Sequence, residues 1–384
     1  LQTHADGQWN NNLLALKALL PQYQGRVKCI YIDPPYNTGN EGWVYSDSVS
    51  SPMIKDWLGK VVGKEGEDLT RHDKWLCMMT PRLKLLRELL ADNGAIFVSV
   101  DDNEQHHLRS VMDDVFGEDN FVCEFVWNKK NVVHNDAKFA STNHEYIVAY
   151  RKTGTLEKFN LLARSEEANA RYENPDNDPR GPWTSVKLDA KSGSVSSLYK
   201  ITFPNKVSWE QPKGRFPTYT KERLLHLYDD NRLWFGKSGT NGPRLKTFLS
   251  EVRQGMVSNS LLFNEEVGST QLAREHLKQL MGTNLFETPK PVELIKRFIS
   301  LSCGENDIVL DSFAGSGTTA EAVLGLNADG GNRKFILVEM EDYANKLTAE
   351  RVRRVIKRDK SKVGFTYYTL GPAIDADALL SGKL

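Results

Sequence analysis

An open, doubly wound α/β sheet interrupted by a foreign module is the architecture that this 384-residue chain predicts. Three observations predict it. Short β-branched and apolar runs such as Val27 to Ile32 stop abruptly at polar or proline loops, as buried parallel strands do. Helix-length stretches alternate with those runs at both ends of the chain. Between about 125 and 282 the alternation dissolves into Gly, Pro and Asn punctuation.

Taken in order, Asn12 to Leu20 has helical spacing, and Val27 to Ile32 is a strand that ends at Asp33-Pro34-Pro35. Lys74 to Leu90 reads as a long helix. Asn93-Gly94 breaks it, and Ala95 to Val100 is a second buried strand closing at Asp101-Asp102. The middle section, with Asn174-Pro175, Pro179-Arg180-Gly181-Pro182, Gly236, Gly239 and Gly242-Pro243, reads as an inserted domain. Alternation then resumes. Pro291 to Ser302 is helix, Ile308 to Leu310 strand, Gly317 to Leu326 helix, Phe335 to Val338 strand and Tyr343 to Arg358 a long basic helix. The expected division is therefore 1–124 and 283–370 as two halves of one sheet domain, 125–282 as the insertion, and 371–384 as the start of a further region. The chain opens at Leu1 and closes on Gly382-Lys383-Leu384 without a helix stop, so both ends of a longer polypeptide are expected to be missing.

Fifty basic side chains balance fifty acidic ones, yet the zero net charge hides a local asymmetry. Residues 181–250 hold twelve Lys plus Arg against five Asp plus Glu. Among them stand Trp183, Tyr199, Phe203, Trp209, Phe216, Tyr219, Tyr228, Trp234 and Phe235. That mixture suits phosphate contact and base stacking, and equally a solvated basic face over a small core. Cys29, Cys77, Cys123 and Cys303 form no C-x-x-C pair and sit mostly in apolar runs, which reads as buried thiols in a reduced, cytoplasmic compartment. No apolar run approaches a membrane span and no signal-like segment opens the chain, so neither insertion nor secretion is expected.

Two motifs carry chemistry. Asp311-Ser312-Phe313-Ala314-Gly315-Ser316-Gly317-Thr318-Thr319 follows a strand and opens a helix, where a glycine loop lets backbone approach a ligand and aims N–H groups at it. Glu339 ends the next strand, 22 residues after Gly317, and a carboxylate there can accept both ribose hydroxyls of a nucleoside. It can also serve as a charge at a helix N-terminus. The loop lacks Gly-Lys-Ser/Thr and the third glycine of a dinucleotide site. It therefore suits a nucleoside without polyphosphate, and points to S-adenosyl-L-methionine rather than ATP or NAD.

The second motif is Asp33-Pro34-Pro35-Tyr36, at the carboxyl end of a buried strand, where open α/β sheets place their ligand crevice. An aromatic exocyclic amine is a poor nucleophile because its lone pair is delocalised. Two acceptors, the Asp33 carboxylate and the Pro34 carbonyl, can take its two hydrogens and favour the attacking geometry. The prolines stiffen the turn, and Tyr36 offers a ring to a base that has lost its stack.

With these motifs in hand, Asp33-Pro34-Pro35-Tyr36-Asn37-Thr38-Gly39 preceding Phe313-Ala314-Gly315-Ser316-Gly317 resembles the order found in β-class amino-methyltransferases. Further stretches resemble the modification (Mod) subunits of type III restriction-modification systems: His72-Asp73-Lys74-Trp75-Leu76, Pro81-Arg82-Leu83, Val98 to Glu104, Asn174 to Trp183, Thr288-Pro289-Lys290-Pro291 and Phe335 to Tyr343. The likeness spans nearly the whole chain. It implies a Rossmann-like S-adenosylmethionine-dependent methyltransferase fold with permuted motif order and an inserted target-recognition domain. It implies transfer of a methyl group to N6 of a flipped adenine in double-stranded DNA, with Asp33, Pro34, Pro35 and Tyr36 catalytic. Thr288, Pro289 and Lys290 would support the methionine end of the cofactor beside Asp311, Phe313, Ala314, Gly315, Ser316, Gly317, Thr318, Thr319 and Glu339. Lys129, Lys130, Lys187, Lys191, Lys213, Arg215 and Lys237 are the expected DNA contacts. The family implies a homodimer and a partner restriction subunit with ATPase and nuclease activity.

Two readings stand beside this one: cytosine-N4 transfer, and a subunit that mainly reads DNA for its partner. The family's Gly-Asp-Asn triplet before the first helix is Asn10-Asn11-Asn12 in this chain, and its preceding strand is not evident. His72, His106, His107 and His134 show no metal-ligand spacing with nearby Cys or Asp, so no metal is expected. Asp101 and Asp102 fit either a cofactor contact or a helix cap.

Overall fold

The structure, a computed structural model, describes residues 2–3, 12–38, 71–132, 138–328 and 330–371. Gly39, Asn10, Asn11, His134 and the expected region 372–384 lie outside them. The chain forms two compact units, Leu1–Asn160 with Ser258–Leu384, and Leu161–Val257.

The first unit is built on a seven-stranded sheet. Its strands in chain order are β1 (Val27–Ile32), β2 (Leu90–Val100), β3 (Phe121–Asn128), β4 (His144–Arg151), β5 (Leu261–Leu262), β6 (Ile308–Asp311) and β7 (Lys334–Leu337). Their spatial order is β5-β3-β4-β2-β1-β6-β7. β2, β1, β6 and β7 run parallel, whereas β4 lies antiparallel to both β2 and β3. Helices α1 (Asn12–Tyr23), α2 (Arg71–Leu89), α3 (Gln105–Phe116), α4 (Thr270–Met281), α5 (Val292–Ser302), α6 (Thr318–Leu326) and α7 (Glu350–Arg358) complete the unit.

The parallel strands are near-continuous apolar runs because helices cover both faces. Ile30, Ile32, Ile96 and Val98 from the strands join Trp75, Met79, Leu83 and Leu86 of α2 in one buried cluster. Full burial of such a side chain contributes about 1.5 to 3 kcal/mol. On the same strands Phe97 and Tyr31 stack near Phe298 of α5, with ring centroids 4.7 and 6.0 Å apart.

Three expectations shift. Residues 125–160 and 258–282 belong to this unit rather than to an insertion, because β3 and β4 pair with each other and β4 pairs with β2 along Ala95 to Val100. Asn93-Gly94 does not end an element. β2 runs through it, Val27 pairing with Leu90 but Cys29 with Ala95, so the extra residues are taken up by an irregularity. A Cβ at Gly94 would stand 2.8 Å from Leu90 Cδ1. The expected helix from Tyr343 opens instead with a widened π turn, Ala344–Ala349, before α7.

The second unit has its own small core of Leu188, Ile201, Phe203, Leu224, Leu227, Leu233 and Phe235. Tyr199, Trp209, Tyr219 and Tyr228 pack against it. These aromatics build the interior of the unit and are not a row of exposed stacking platforms. At its other end, Lys246 is buried and ion-paired with Asp176 and Asp178, and Asp178 also holds Arg180 at 2.8 Å.

Candidate active site

Parallel neighbours deliver their loops to the same edge of a sheet. β1 and β6 are such neighbours, with Ile30 opposite Leu310, so the loops after Ile32 and Asp311 emerge side by side. β4 runs the other way and therefore brings its first residues, not its last, to that edge. Its Glu145 joins the Asp33 loop.

Four side chains meet there. Lys290 Nζ donates to both Asp33 oxygens at 2.7 Å and to Tyr36 Oη at 2.8 Å, and stands 3.4 Å from Glu145 Oε2. Tyr36 Oη lies 2.7 Å from Asp33 Oδ1 and 3.1 Å from Glu145 Oε2. Lys129 Nζ closes the set on Glu145 Oε1 at 2.8 Å. Burial works against the Lys290 cation, but Asp33 and Glu145 outweigh it and hold its pKa above the usual lysine value. Burial also opposes the Glu145 charge, and there Lys290 and Lys129 prevail and hold the carboxyl below its ordinary range. Burial, then Asp33 and Glu145, push the Tyr36 phenol well up, so it stays a neutral donor.

The loop is fixed from beneath. Trp75 Nε1 donates to the Pro35 carbonyl at 2.7 Å. Asn37, buried and in the left-handed region at φ 59°, donates its side-chain amide to Glu104. Pro34 is buried and Asp33 and Tyr36 are half-buried.

The glycine loop is held as tightly. Asp311 accepts from Phe313 N at 3.0 Å and Thr319 Oγ1 at 2.6 Å. Glu339 accepts from Gly315 N at 2.6 Å, Met340 N at 2.8 Å and Glu341 N at 3.0 Å. Burial pushes both carboxyls up to about 7 despite these bonds. Gly315 and Gly317 have φ of 51° and 81°, and a Cβ at Gly317 would stand 3.0 Å from the Thr348 carbonyl of the π turn. Thr348 Oγ1 in turn donates to Gly315 O at 2.6 Å. Arg351 Nη1 donates to Ser316 Oγ and Thr318 Oγ1 at 2.9 and 2.8 Å, while its Nε pairs with Glu321 at 2.8 Å. Asn12 donates to Ser312 O at 3.0 Å and receives Arg82 Nε at 2.5 Å, so the last residue of the Asn triplet still touches the loop.

The predicted residues thus divide. Asp33 to Tyr36 and Asp311 to Thr319 with Glu339 form two adjoining clusters. Lys290 lies on the Asp33 cluster, Pro289 is buried beside it in sequence, and Thr288 is exposed. Asp101 accepts from Asn103 N at 3.0 Å and its carbonyl from Gln105 N at 3.1 Å, so it shapes the turn into α3. Glu145, Glu104 and Arg351 were missed. Glu145 opens a strand, His144 to Arg151, whose sequence alone gives no sign that it returns antiparallel to the site edge. Of the expected DNA contacts, Lys187, Lys191, Lys213 and Lys237 are exposed on the second unit. Arg215 is committed to Asp189 at 2.5 Å, and Lys129 and Lys130 belong to the first unit. Spacing among His, Cys and Asp gave no metal-ligand grouping; the structure brings a glutamate between two of those histidines, with ligand atoms of His72, Glu104 and His107 within 4.8 Å of one another.

Residues 27–350 match the DNA methylase family. The chain is 34% identical to the type III restriction-modification enzyme StyLTI Mod subunit of Salmonella typhimurium, over 93% of this chain and 59% of that protein. It is 30% identical to the EcoP15I Mod subunit of Escherichia coli, over 94% and 64%. It is also 30% identical to the type II methyltransferase M.KpnI of Klebsiella pneumoniae, over 86% and 79%. The chain therefore spans about three-fifths of the length of these Mod relatives.

Proposed function

From the premise that the chain belongs to the DNA methylase family, we propose that it transfers a methyl group from S-adenosylmethionine to N6 of a flipped adenine in double-stranded DNA. The observation that carries this reading is the side-by-side emergence of the Asp33-Pro34 loop and the glycine loop from β1 and β6. A base amine held by the first lies next to a nucleoside held by the second.

The glycine-loop residues fit that cofactor. Ser312 Oγ is buried without a hydrogen-bond partner among the described residues, and Asp311 and Glu339 are buried carboxyls next to backbone that only glycine allows. Bound S-adenosylmethionine supplies the electrophilic methyl group. The chain supplies orientation, which can account for several kcal/mol, up to roughly 7 to 11, of a barrier. Asp33 and the Pro34 carbonyl take the two amine hydrogens, and Lys290 fixes the Asp33 carboxylate in its rotamer. The Asp33 carboxylate is also placed to take the proton that the methylated amine sheds. Tyr36 offers its ring to the base. Flipping costs a few kcal/mol, and one aromatic platform returns about 1 to 3.

The same reading makes this chain the modification subunit of a type III system, acting as a homodimer with a restriction subunit, supported by its likeness to the two Mod proteins. The unit Leu161–Val257, with its exposed lysines, is the proposed target reader.

Labelled cofactor and unmethylated genomic DNA, followed by nucleoside mass spectrometry, test the reaction. N6-methyladenine is the expected product. N4-methylcytosine would replace the base assignment, and no methylated nucleoside from a chain that binds cofactor would leave only the DNA-reading role. Asp33→Ala is expected to abolish transfer and to leave cofactor binding largely intact.

A further inference from the structure

Behind the catalytic loop, His72 near the start of α2, Glu104 immediately before α3 and His107 in the first turn of α3 point into one spot. His72 Nδ1 lies 2.7 Å from Glu104 Oε1, and the rings of His72 and His107 are 4.9 Å apart. Hydrogen bonding accounts for only half of this arrangement. His72 and Asn37 both engage Glu104 Oε1. Oε2, on a side chain with no exposed surface, has no hydrogen-bond partner among the described residues. A buried carboxylate oxygen left without a donor is expensive and asks for a cation. His107 is turned into the same spot although the bonds to Oε1 do not use it.

We infer that His72, Glu104 and His107 form a binding site for one first-row divalent cation, zinc being the best match. Two imidazole nitrogens and one carboxylate oxygen are a donor set that zinc and its neighbours accept, with a fourth position left for water. Glu104 stands at the start of α3 and His107 in its first turn, and His72 supplies the third donor from α2. The ion would be structural. It would fix the carboxylate whose other oxygen holds Asn37, one residue beyond Tyr36, and so anchor the far end of the catalytic loop.

The experiment measures zinc directly. The chain is stripped with a chelator, then titrated with Zn²⁺ in competition with a chromophoric chelator, and the Co²⁺ form is examined by visible absorption. Wild type is expected to bind one equivalent, to give the d–d bands of low-symmetry cobalt, and to gain thermal stability with zinc. His107→Ala leaves the bonds from His72 and Asn37 to Glu104 untouched, so its metal-free form should melt with the metal-free wild type. It should bind zinc at least tenfold more weakly, without the cobalt bands. Equal affinity in the two proteins, or no stoichiometric binding by wild type, would overturn the site. If His107→Ala misfolds, His107→Gln, which keeps the volume and the polarity, provides the same comparison.

Discussion

A lysine ammonium enclosed by two carboxylates and a phenol, as at Lys290, is held both charged and still. Its worth lies in what it fixes. Without it Asp33 would keep, among the described residues, only its bond with Tyr36 Oη and could change rotamer more readily, and a displacement of about 1 Å in a reacting group can cost on the order of 10²-fold in rate. Lys290→Met is therefore expected to lower kcat by about that factor in single-turnover methyl transfer. Cofactor affinity should change far less, and Lys290→Arg should recover part of the rate. Asp311 and Glu339 set a second expectation at this scale. Both carboxyls stand at about 7 in the fold, against roughly 4 in an unfolded chain. The folded protein thus binds more protons across that window, and its stability is greatest at the acid end and falls as pH rises toward 7. Melting of the cofactor-free chain should drop between pH 5.5 and 8, and Glu339→Gln should flatten the drop. Affinity for S-adenosylmethionine should rise over the same interval, as Glu339 ionises and becomes a better acceptor. Asp33, Tyr36 and Glu339 were legible because each stands in a short motif with a chemical reason for its residue types. Glu145 was not, because the partners that bring it to the site, Tyr36 and Lys290, are 109 and 145 positions away in sequence.

At the level of elements, the glycine loop keeps its shape through α7 and the π turn as much as through its own glycines. Arg351 spans the buried Glu321 carboxylate and the Ser316-Thr318 hydroxyls, and Glu321 also receives Arg358 and His276. Arg351→Met strips this buried pair of its central cation. Losses of about 3 to 5 kcal/mol are typical when one partner of a buried pair is removed. Denaturant unfolding should fall toward that range, less what Arg358 and His276 retain, and cofactor should bind more weakly. The parallel strands β1, β6 and β7 were readable to within a residue because their continuous apolar runs have no other use. The π turn was not, since nothing in Tyr343 to Arg358 departs from helical spacing. It lies where Thr348 meets Gly315 and Gly317, a long-range contact that local spacing does not show.

For the whole molecule, the difficult quantity was where the inserted unit begins and ends. Phe121–Asn128 and His144–Arg151 have less continuous apolar character than the parallel strands, and past about residue 125 the Gly, Pro and Asn punctuation masks the alternation of helix and strand. The sheet claims both strands because they pair antiparallel with each other and the second of them pairs with β2, which leaves Leu161–Val257 as the second unit. If that unit reads DNA, changing Lys187, Lys191, Lys213 and Lys237 together to Ala should weaken duplex binding and flatten its salt dependence. Each phosphate that is no longer neutralised should reduce the slope of log K against log salt by about 0.9, with cofactor affinity unchanged. Fluorescence anisotropy across a salt series reads both. The pairing of β1 with β6 also has a consequence during synthesis. Asp33 leaves the ribosome first, and its neighbouring strand β6, the glycine loop and Glu339 follow roughly three hundred residues later. On the proposed function, a growing chain would therefore carry the half that holds the methyl acceptor long before the half that holds the donor exists. It would stay inert toward DNA until β6, the glycine loop and Glu339 have been made, and arrest or proteolysis short of Glu339 would leave fragments that lack the donor half.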